Sequence, residues 1–334
     1  MKITVAKGKL FENSAELLVS PVFLGESETA LRPSLQRWFD GVDEVYRGRV
    51  MKMAKALEFT GKAGQTLLLP APAGSNADEV LLVGLGDKTG EALMECLREV
   101  TGMAIQTAKR RGLRTLVIDL TARDFKSEAA QAIATAALLA DYQFETYKKT
   151  NPLKKIESLE ILAVDTRMVQ AMRKQVERAQ TIVAGVTLAR DLVNTPAQHM
   201  TPAHMAEAAQ AVAKSSGGVV KIKVLDRAAC AKLKMGAYLA VAQGADHEPK
   251  FIHLTYTSPR PTKKSLALVG KGVTFDSGGL SLKPADAMMT MKCDMAGGAA
   301  VIGLFATLAK LKPRVNIHGV IAATENMVSG KAIR

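Results

Sequence analysis

Short apolar runs alternate with longer segments of helical periodicity along the first 147 residues. Runs of about four to eight apolar residues, bounded by turn residues, are typical of strands that are buried on both faces. The predicted strands are 16–23, 64–70, 80–86 and 116–120, and the predicted helices are 45–57, 91–111 and 129–147. Strands that alternate with helices favour an α/β domain with a mostly parallel sheet.

The rest of the chain repeats this alternation after a long amphipathic segment. Apolar residues recur at every third or fourth position over 167–193, which predicts a helix with one face toward a core. Further patterns predict a helix that begins near Thr201, strands at 219–224, 251–256, 265–269 and 314–322, and a helix at 296–310. We therefore expect a second α/β domain with a central mixed sheet.

A basic, proline-containing segment at 148–155 separates the two patterned regions. The chain of 334 residues exceeds the roughly 250 to 300 residues that one core usually serves, so two domains are expected. We predict an N-terminal α/β domain at 1–147, a linker at 148–166 and a second α/β domain at 167–334.

Composition narrows the class of protein. Hydrophobic residues make up 48% of the chain and charged residues 23%, as in ordinary globular proteins. The three cysteines, Cys96, Cys230 and Cys293, form no C-x-x-C pair, which argues against a disulfide framework and favours a reducing compartment. The N-terminus lacks an apolar signal core, and no run reaches the roughly 18 apolar residues of a membrane span. A cytoplasmic protein without a membrane partner is therefore expected.

The segment after the predicted strand at 265–269 holds the clearest candidate chemistry. We expect this strand to open into a glycine-rich loop that carries Lys271 and Asp276. Lys283 and Asp294 follow before the last predicted helix. A strand, a charged loop and a helix in this order are the usual place for chemistry in an α/β sheet. Carboxylates suit Mg²⁺, Mn²⁺ or Zn²⁺, and a lysine can bind metal when the cation stabilises its neutral amine.

Three strings in this segment resemble site motifs of the leucyl aminopeptidase family, a group of two-metal cytosolic exopeptidases. The strings are V-G-K-G-V-T-F-D-S-G-G at 269–279, L-S-L-K-P at 280–284 and K-C-D-M-A-G-G-A-A at 292–300. The spacings agree as well, with five residues from Lys271 to Asp276 and eighteen from Asp276 to Asp294. The resemblance implies that Lys271, Asp276 and Asp294 are metal ligands, with Asp276 bridging two ions. It also implies that Lys283 stabilises the oxyanion of a tetrahedral intermediate.

The same resemblance implies a function and an assembly. Family members release N-terminal amino acids from peptides by a two-metal hydrolytic mechanism, with leucine and other apolar residues preferred. Two divalent cations (Mn²⁺, Zn²⁺ or Mg²⁺) are therefore expected in a complete site, and a homo-hexamer is the expected assembly. The N-terminal domain would contribute to assembly, so that 167–334 would be the metallopeptidase catalytic domain.

The family's third motif, N-T-D-A-E-G-R, does not occur in the sequence. By the resemblance, that motif supplies an aspartate, a glutamate and an arginine that holds a bicarbonate general base in the complete protein. Residues 325–334 resemble the segment that precedes it, with Val328 where proline is usual. We therefore expect a catalytic domain that is incomplete at its C-terminus, with weak metal binding and no turnover.

The runner-up interpretation is a DNA-binding regulatory protein of the same family that acts without catalysis. A net charge of +13 and basic clusters at 109–111, 148–149 and 154–155 permit it, although no nucleic-acid motif accompanies them. The single D-S-G at 276–278 has no second copy for an aspartic protease, and neither H-E-x-x-H nor G-x-S-x-G occurs. Cys293 is expected to be a small buried residue rather than a redox thiol.

Overall fold

The computed structural model describes residues 1–23, 46, 49–121, 125–149 and 155–332. Internal contacts divide the chain into two compact units, Met1–Gln180 and Thr181–Arg334. The domain boundary predicted at 148–166 stays a prediction. The helix predicted at 45–57 begins outside the described residues, and its described part is Arg49–Ala56.

In the described part of the first unit, a six-stranded sheet forms the centre. Its strands are β1 (Lys2–Lys7), β2 (Leu17–Phe23), β3 (Thr66–Pro70), β4 (Glu79–Gly86), β5 (Thr115–Leu120) and β6 (Ser158–Ala163). Across the sheet their order is β1-β6-β5-β2-β4-β3, and every neighbouring pair except β3–β4 is parallel. The α/β class and the mostly parallel sheet are confirmed.

Both faces of this sheet are covered. Among the described residues, the helices of this unit are α1 (Arg49–Ala56), α2 (Gly90–Arg111), α3 (Glu128–Asp141) and the first part of α4 (Thr166–Asn194). Successive residues such as Leu17 and Leu18 of β2 belong to two different apolar cores. Because successive side chains of a strand point to opposite faces, each face of the sheet has its own core. Burial on both faces explains the continuous apolar runs in the sequence.

Strand β6 is the main element that the sequence analysis missed. It lies within the linker predicted at 148–166 and takes a place between β1 and β5 in the sheet. The side chains of Leu159, Ile161 and Leu162 are fully buried there. Burial in an interior strand of the sheet therefore outweighs the polar character of the residues that precede β6.

Helix α3 ends earlier than the predicted helix at 129–147. Its last residue is Asp141. The carboxylate of Asp141 accepts hydrogen bonds from Lys109 Nζ and from the Ile156 N–H, each at 3.3 Å. These contacts tie the end of α3 to α2 and to the segment that leads into β6.

A four-stranded mixed sheet forms the centre of the second unit. Its strands are β7 (Val220–Leu225), β8 (Lys250–Tyr256), β9 (Ser265–Asp276) and β10 (Asn316–Asn326), in the order β7-β8-β10-β9. Strands β9 and β10 are parallel, and the other two pairs are antiparallel, so the expected mixed sheet is confirmed. The helices that follow α4 are α5 (Pro202–Ser215), α6 (Arg227–Lys232), α7 (Gly236–Val241), α8 (Ala285–Met288) and α9 (Ala296–Leu311).

The two faces of the second sheet differ. On one face, Ile252, Leu254 and Tyr256 of β8 are fully buried and pack in a core with residues of α5 and α9. On the other face, His253 of β8 is partly exposed, and Val269 of β9 is 81% exposed. Within the described part of this unit, only the first face is covered by a core.

Residues 285–311 reach the length and apolar composition of a possible membrane span, and half of that apolar window is buried in the protein. Helix α9 contributes 16 residues of the stretch, fewer than the roughly 20 that a spanning helix needs. Its residues Ile302, Phe305 and Leu308 belong to the core of the second unit. The stretch therefore has the packing of a core helix.

Candidate metal site

Strand β9 extends further than the sequence analysis predicted. Lys271 and Asp276 were expected in a glycine-rich loop, but both belong to the strand, and the loop begins at Ser277. Parallel pairing with β10 continues along the whole of β9 and keeps it extended. A Cβ added to Gly270 would lie 2.6 Å from the carbonyl oxygen of Gly297. The glycine thus permits α9 to pack closely on β9, which is a different role from loop flexibility.

Lys271 and Asp294 form the first ion pair of the candidate site. Lys271 Nζ lies 2.7 Å from Asp294 Oδ1. The Asp294 side chain is largely buried just before α9, whereas the Lys271 side chain is mostly exposed. Asp294 Oδ2 is buried and has no hydrogen-bond partner in the part of the chain that the structure describes. A buried carboxylate oxygen without a donor is unusual, and its chemistry suits a cation.

Asp276 and Lys283 form the second ion pair. Asp276 Oδ2 accepts a hydrogen bond from Lys283 Nζ at 2.5 Å, and Asp276 Oδ1 accepts one from the Gly278 N–H at 2.9 Å. Burial raises the pKa of the Asp276 carboxyl, but the hydrogen bonds from Lys283, Gly278 and Asn326 outweigh burial and bring that pKa below its ordinary value. Asp276 is therefore a carboxylate at neutral pH.

The loop after β9 positions Lys283. The Lys283 N–H donates to the Ser277 carbonyl at 2.9 Å, which closes the loop, and Gly278 and Gly279 both have positive φ. Lys283 Nζ also lies 3.3 Å from Met291 Sδ. Met291 begins the short 3₁₀ helix Met291–Cys293, which directly precedes Asp294. The Lys283–Met291 contact therefore brings the second ion pair next to the segment that carries Asp294.

The structure thus places all four predicted site residues in the second unit and joins them in pairs. Two carboxylates and an amine are ligands that fit a hard divalent cation. Asp294 Oδ2 accepts no hydrogen bond from the described residues, so this oxygen is available to a cation. In the described part of the chain, no group of three or more His, Cys, Asp and Glu side chains gathers as a metal site, and the candidate site itself has two carboxylates, those of Asp276 and Asp294. The individual roles of Lys271, Asp276, Lys283 and Asp294 stay predictions.

Sequence analysis missed the end of β10 as part of this region. Asn326 Nδ2 donates to Asp276 Oδ1 at 2.7 Å. The buried Glu325 carboxylate lies 3.0 Å from Nδ1 of His247. In the sheet, Asn326 is the cross-strand partner of Asp276, and Glu325 is the partner of the preceding Phe275. Pairing of β10 with β9 is the signal that would have found them.

The structure also bears on two other expectations, the burial of Cys293 and the basic cluster at 109–111. Cys293 is exposed, because it lies in a surface 3₁₀ turn, so the expectation of a small buried residue is wrong. In the basic cluster at 109–111, Lys109 forms a buried ion pair with Asp141, and Arg111 pairs with Glu79. Two of the three cations of this cluster thus have acidic partners within the protein, which weakens the support that the cluster gives to DNA binding.

Comparisons with known proteins agree with one another. The family model described as "Cytosol aminopeptidase family, catalytic domain" matches residues 187–334, and the model of the family's N-terminal domain matches residues 21–151. A probable cytosol aminopeptidase of Thermosynechococcus vestitus is 40% identical over 328 residues, which are 96% of this chain and 63% of the relative. The neutral chloroplastic leucine aminopeptidase of Solanum lycopersicum is 37% identical over 309 residues, or 90% of this chain and 53% of the relative.

Solved structures are similar over nearly the whole chain. A mutant of tomato leucine aminopeptidase superposes with a TM-score of 0.83 at 32% identity, over 100% of this chain and 64% of the other. The bottromycin maturation enzyme BotP in complex with Mn superposes with a TM-score of 0.74 at 29% identity, over 96% of this chain and 62% of the other. The chain therefore spans less than two thirds of the length of these relatives.

Proposed function

The chain belongs to the cytosol aminopeptidase family, and on that premise we propose that it carries part of a metal-dependent site that removes N-terminal amino acids from peptides. One observation carries the proposal: the motif residues form two ion pairs in a single unit. Lys271 pairs with Asp294, and Lys283 pairs with Asp276. Each carboxylate is thus already placed beside a positive charge.

Lys271, Asp276 and Asp294 are the residues proposed to hold divalent cations. The buried and unpartnered Asp294 Oδ2 supports a cation there, since a donor is otherwise missing from the described surroundings. When bound, such cations polarise a peptide carbonyl and lower the pKa of a water molecule. The similar structure of BotP is a complex with Mn, which makes Mn²⁺ the first probe, with Zn²⁺ and Mg²⁺ as alternatives.

Lys283 is proposed to stabilise the negative charge that develops on the carbonyl oxygen of the substrate. The loop closed by the Lys283 N–H and the Ser277 carbonyl positions its side chain, and its ammonium group faces Asp276 Oδ2. A charged donor that is fixed before the reaction stabilises a developing oxyanion without reorganisation. This role predicts that Lys283 variants lose turnover more than they lose metal affinity.

The finer properties of the family remain proposals for this chain. The sequence contains no N-T-D-A-E-G-R string, so we propose that the chain alone binds Mn²⁺ weakly and does not turn over peptides. Leucine and other apolar N-termini are the proposed substrates, in line with the name of the tomato relative. A cytosolic location is proposed from the names of the relatives. A homo-hexamer is proposed from the family resemblance.

Mn²⁺ titration of the chain tests the proposed ligands. Asp276→Asn and Asp294→Asn should each weaken Mn²⁺ binding by more than the roughly 10- to 100-fold that loss of an outer hydrogen-bond partner costs. Asp286→Asn is the matched control, because Asp286 is an exposed acid in α8 of the same segment. Unchanged binding in both ligand variants, or an equal loss in the control, would refute the assignment.

Activity is tested after the third motif is supplied. In a protein that joins the chain to a segment carrying N-T-D-A-E-G-R, the family's third motif, Mn²⁺-dependent release of leucine from a chromogenic amide is expected. Asp276→Ala in the joined protein should reduce this release to background, while Asp286→Ala should not. Retained activity in the Asp276 variant would contradict the proposed role.

A further inference from the structure

Asn326 lies opposite Asp276 because of an irregularity in the pairing of β9 and β10. Thr324 pairs with Val273, but the next residue of β10 pairs with Phe275, so Thr274 is an extra residue on β9. Without this bulge, the partner of Asn326 would be Phe275. A bulge shifts the register and re-aims the side chains that follow it. The bulge therefore brings Asn326 to the one residue of β9 that carries a carboxylate.

Asn326 holds the end of β9 through both its side chain and its backbone. Its Nδ2 donates to Asp276 Oδ1 at 2.7 Å. Its carbonyl oxygen accepts from the Ser277 N–H at 2.9 Å and from Ser277 Oγ at 2.7 Å. Gly279 leaves room for the Asn326 side chain, since a Cβ at position 279 would lie 2.8 Å from Asn326 Oδ1. Gly279 also has a φ of +66°, which a glycine adopts without strain.

These bonds divide the two oxygens of the Asp276 carboxylate. Oδ1 accepts from Asn326 Nδ2 and from the Gly278 N–H, which uses both of its in-plane lone pairs. Oδ2 is left to face Lys283 Nζ. Without Asn326, the carboxylate would lose one of the two donors to Oδ1, and Gly278 N–H alone would hold that oxygen.

We propose that Asn326 is a positioning residue for Asp276: it fixes the carboxylate so that Oδ2 is the oxygen offered to a cation. This inference rests on the proposed role of Asp276 as a metal ligand. A hydrogen bond to the far oxygen of a ligating carboxylate sets its orientation, and loss of such a bond typically weakens metal binding about 10- to 100-fold. Asn326 itself does not touch the cation or the substrate.

Mn²⁺ affinity and thermal stability, measured together, test the role of Asn326. Asn326→Ala in the full chain should weaken Mn²⁺ binding about 10- to 100-fold. Asn316→Ala is the matched control, because Asn316 begins the same strand and its Oδ1 accepts a hydrogen bond from the Ser258 N–H at 3.0 Å. Both variants should lower the unfolding temperature in the absence of Mn²⁺, but only Asn326→Ala should lose Mn²⁺ affinity.

Parallel titration of Asp276→Asn separates the possible failures. If Asp276→Asn loses Mn²⁺ binding and Asn326→Ala keeps it, the inference on Asn326 is overturned and the proposed site stands. If neither variant changes Mn²⁺ binding, or the wild-type chain binds none at millimolar concentration, the proposed site fails and the inference fails with it. Should Asn326→Ala not unfold cooperatively, Asn326→Leu replaces it, because leucine fills a similar volume without a donor.

Discussion

The two sheets of the molecule bury their strands in different ways. Successive residues of β2 and β4 in the first sheet enter two cores, so both faces are covered. The second sheet buries one face, while Val269 on the other face is 81% exposed. The candidate site lies at the end of β9, one of the two edge strands of this second sheet in the described residues. Candidate chemistry is thus found where a strand keeps an uncovered face and ends in a glycine loop.

The largest difference in the free energy of unfolding is expected between alanine variants of a buried valine and of an exposed valine. Val83 of β4 is fully buried, whereas Val269 of β9 is 81% exposed. Val83→Ala should lower the free energy of unfolding by about 2–3 kcal/mol, through lost burial and the cavity left behind. Val269→Ala should change it by less than about 0.5 kcal/mol. Urea unfolding of the two variants measures both values.

A large loss for Val269→Ala in this measurement would mean that the open face of the second sheet is covered after all, for example by a second copy of the chain. If a second copy covers this face, the stability of the wild-type protein would increase with protein concentration, since stabilisation by association grows with concentration.

Two glycines provide the second contrast. A Cβ on Gly270 would lie 2.6 Å from the Gly297 carbonyl, whereas a Cβ on Gly102, within α2, meets nothing within 4 Å. Gly270→Ala should cost about 1–3 kcal/mol, because backbone rather than a flexible side chain must move. Gly102→Ala should stabilise the protein by about 0.5–1 kcal/mol, since alanine is the better helix former.

Gly270→Ala should also weaken Mn²⁺ binding, because α9 would be pushed away from β9 together with Asp294 at its start. Unfolding measurements and Mn²⁺ titration on the same samples test both parts. A Gly270→Ala variant of wild-type stability would show that β9 and α9 are not packed as closely as described.

A smaller effect concerns pH. All five histidines lie between residues 199 and 318, in the second unit. Burial lowers the pKa of His253, and the neighbouring His318 and Lys223 lower it further. The ring of His253 stacks on that of His318, and their facing nitrogens are 3.1 Å apart. The folded state therefore takes up a proton on His253 less readily than the unfolded state does.

The sign of the effect follows from linkage. Stability from His253 is present above its unfolded pKa of about 6.5 and is lost as the pH falls through the lower folded pKa. Wild-type protein should be less resistant to urea at pH 5.5 than at pH 7.5, and His253→Asn should lose less over that range. An identical loss in the two proteins would contradict this account of the pair.

Much of the fold could be predicted because local pattern and burial agree. The long amphipathic segment predicted at 167–193 is the helix Thr166–Asn194, and the segment predicted at 296–310 is the helix Ala296–Leu311. Strand β6 was missed because its burial depends on strands far away in sequence. The polar and basic residues at 148–155, which precede β6, predicted a linker for this segment.

Candidate chemistry was visible in the motif strings, but its geometry was not. A glycine-rich loop was predicted from Lys271 onward, whereas pairing with β10 keeps the chain extended as far as Asp276. Asn326 escaped notice because a bulge decides its partner, and no periodicity in the sequence encodes that shift in register. Contacts between distant strands are thus what the sequence alone left out.

Anomalous diffraction from a crystal of the chain soaked in Mn²⁺ tests the central claim most directly. We expect a Mn²⁺ peak at coordinating distance from a carboxylate oxygen of Asp276, of Asp294 or of both, with Asp276 contributing Oδ2. Peaks confined to other surfaces of the protein, with the two carboxylates still paired to Lys283 and Lys271, would contradict it.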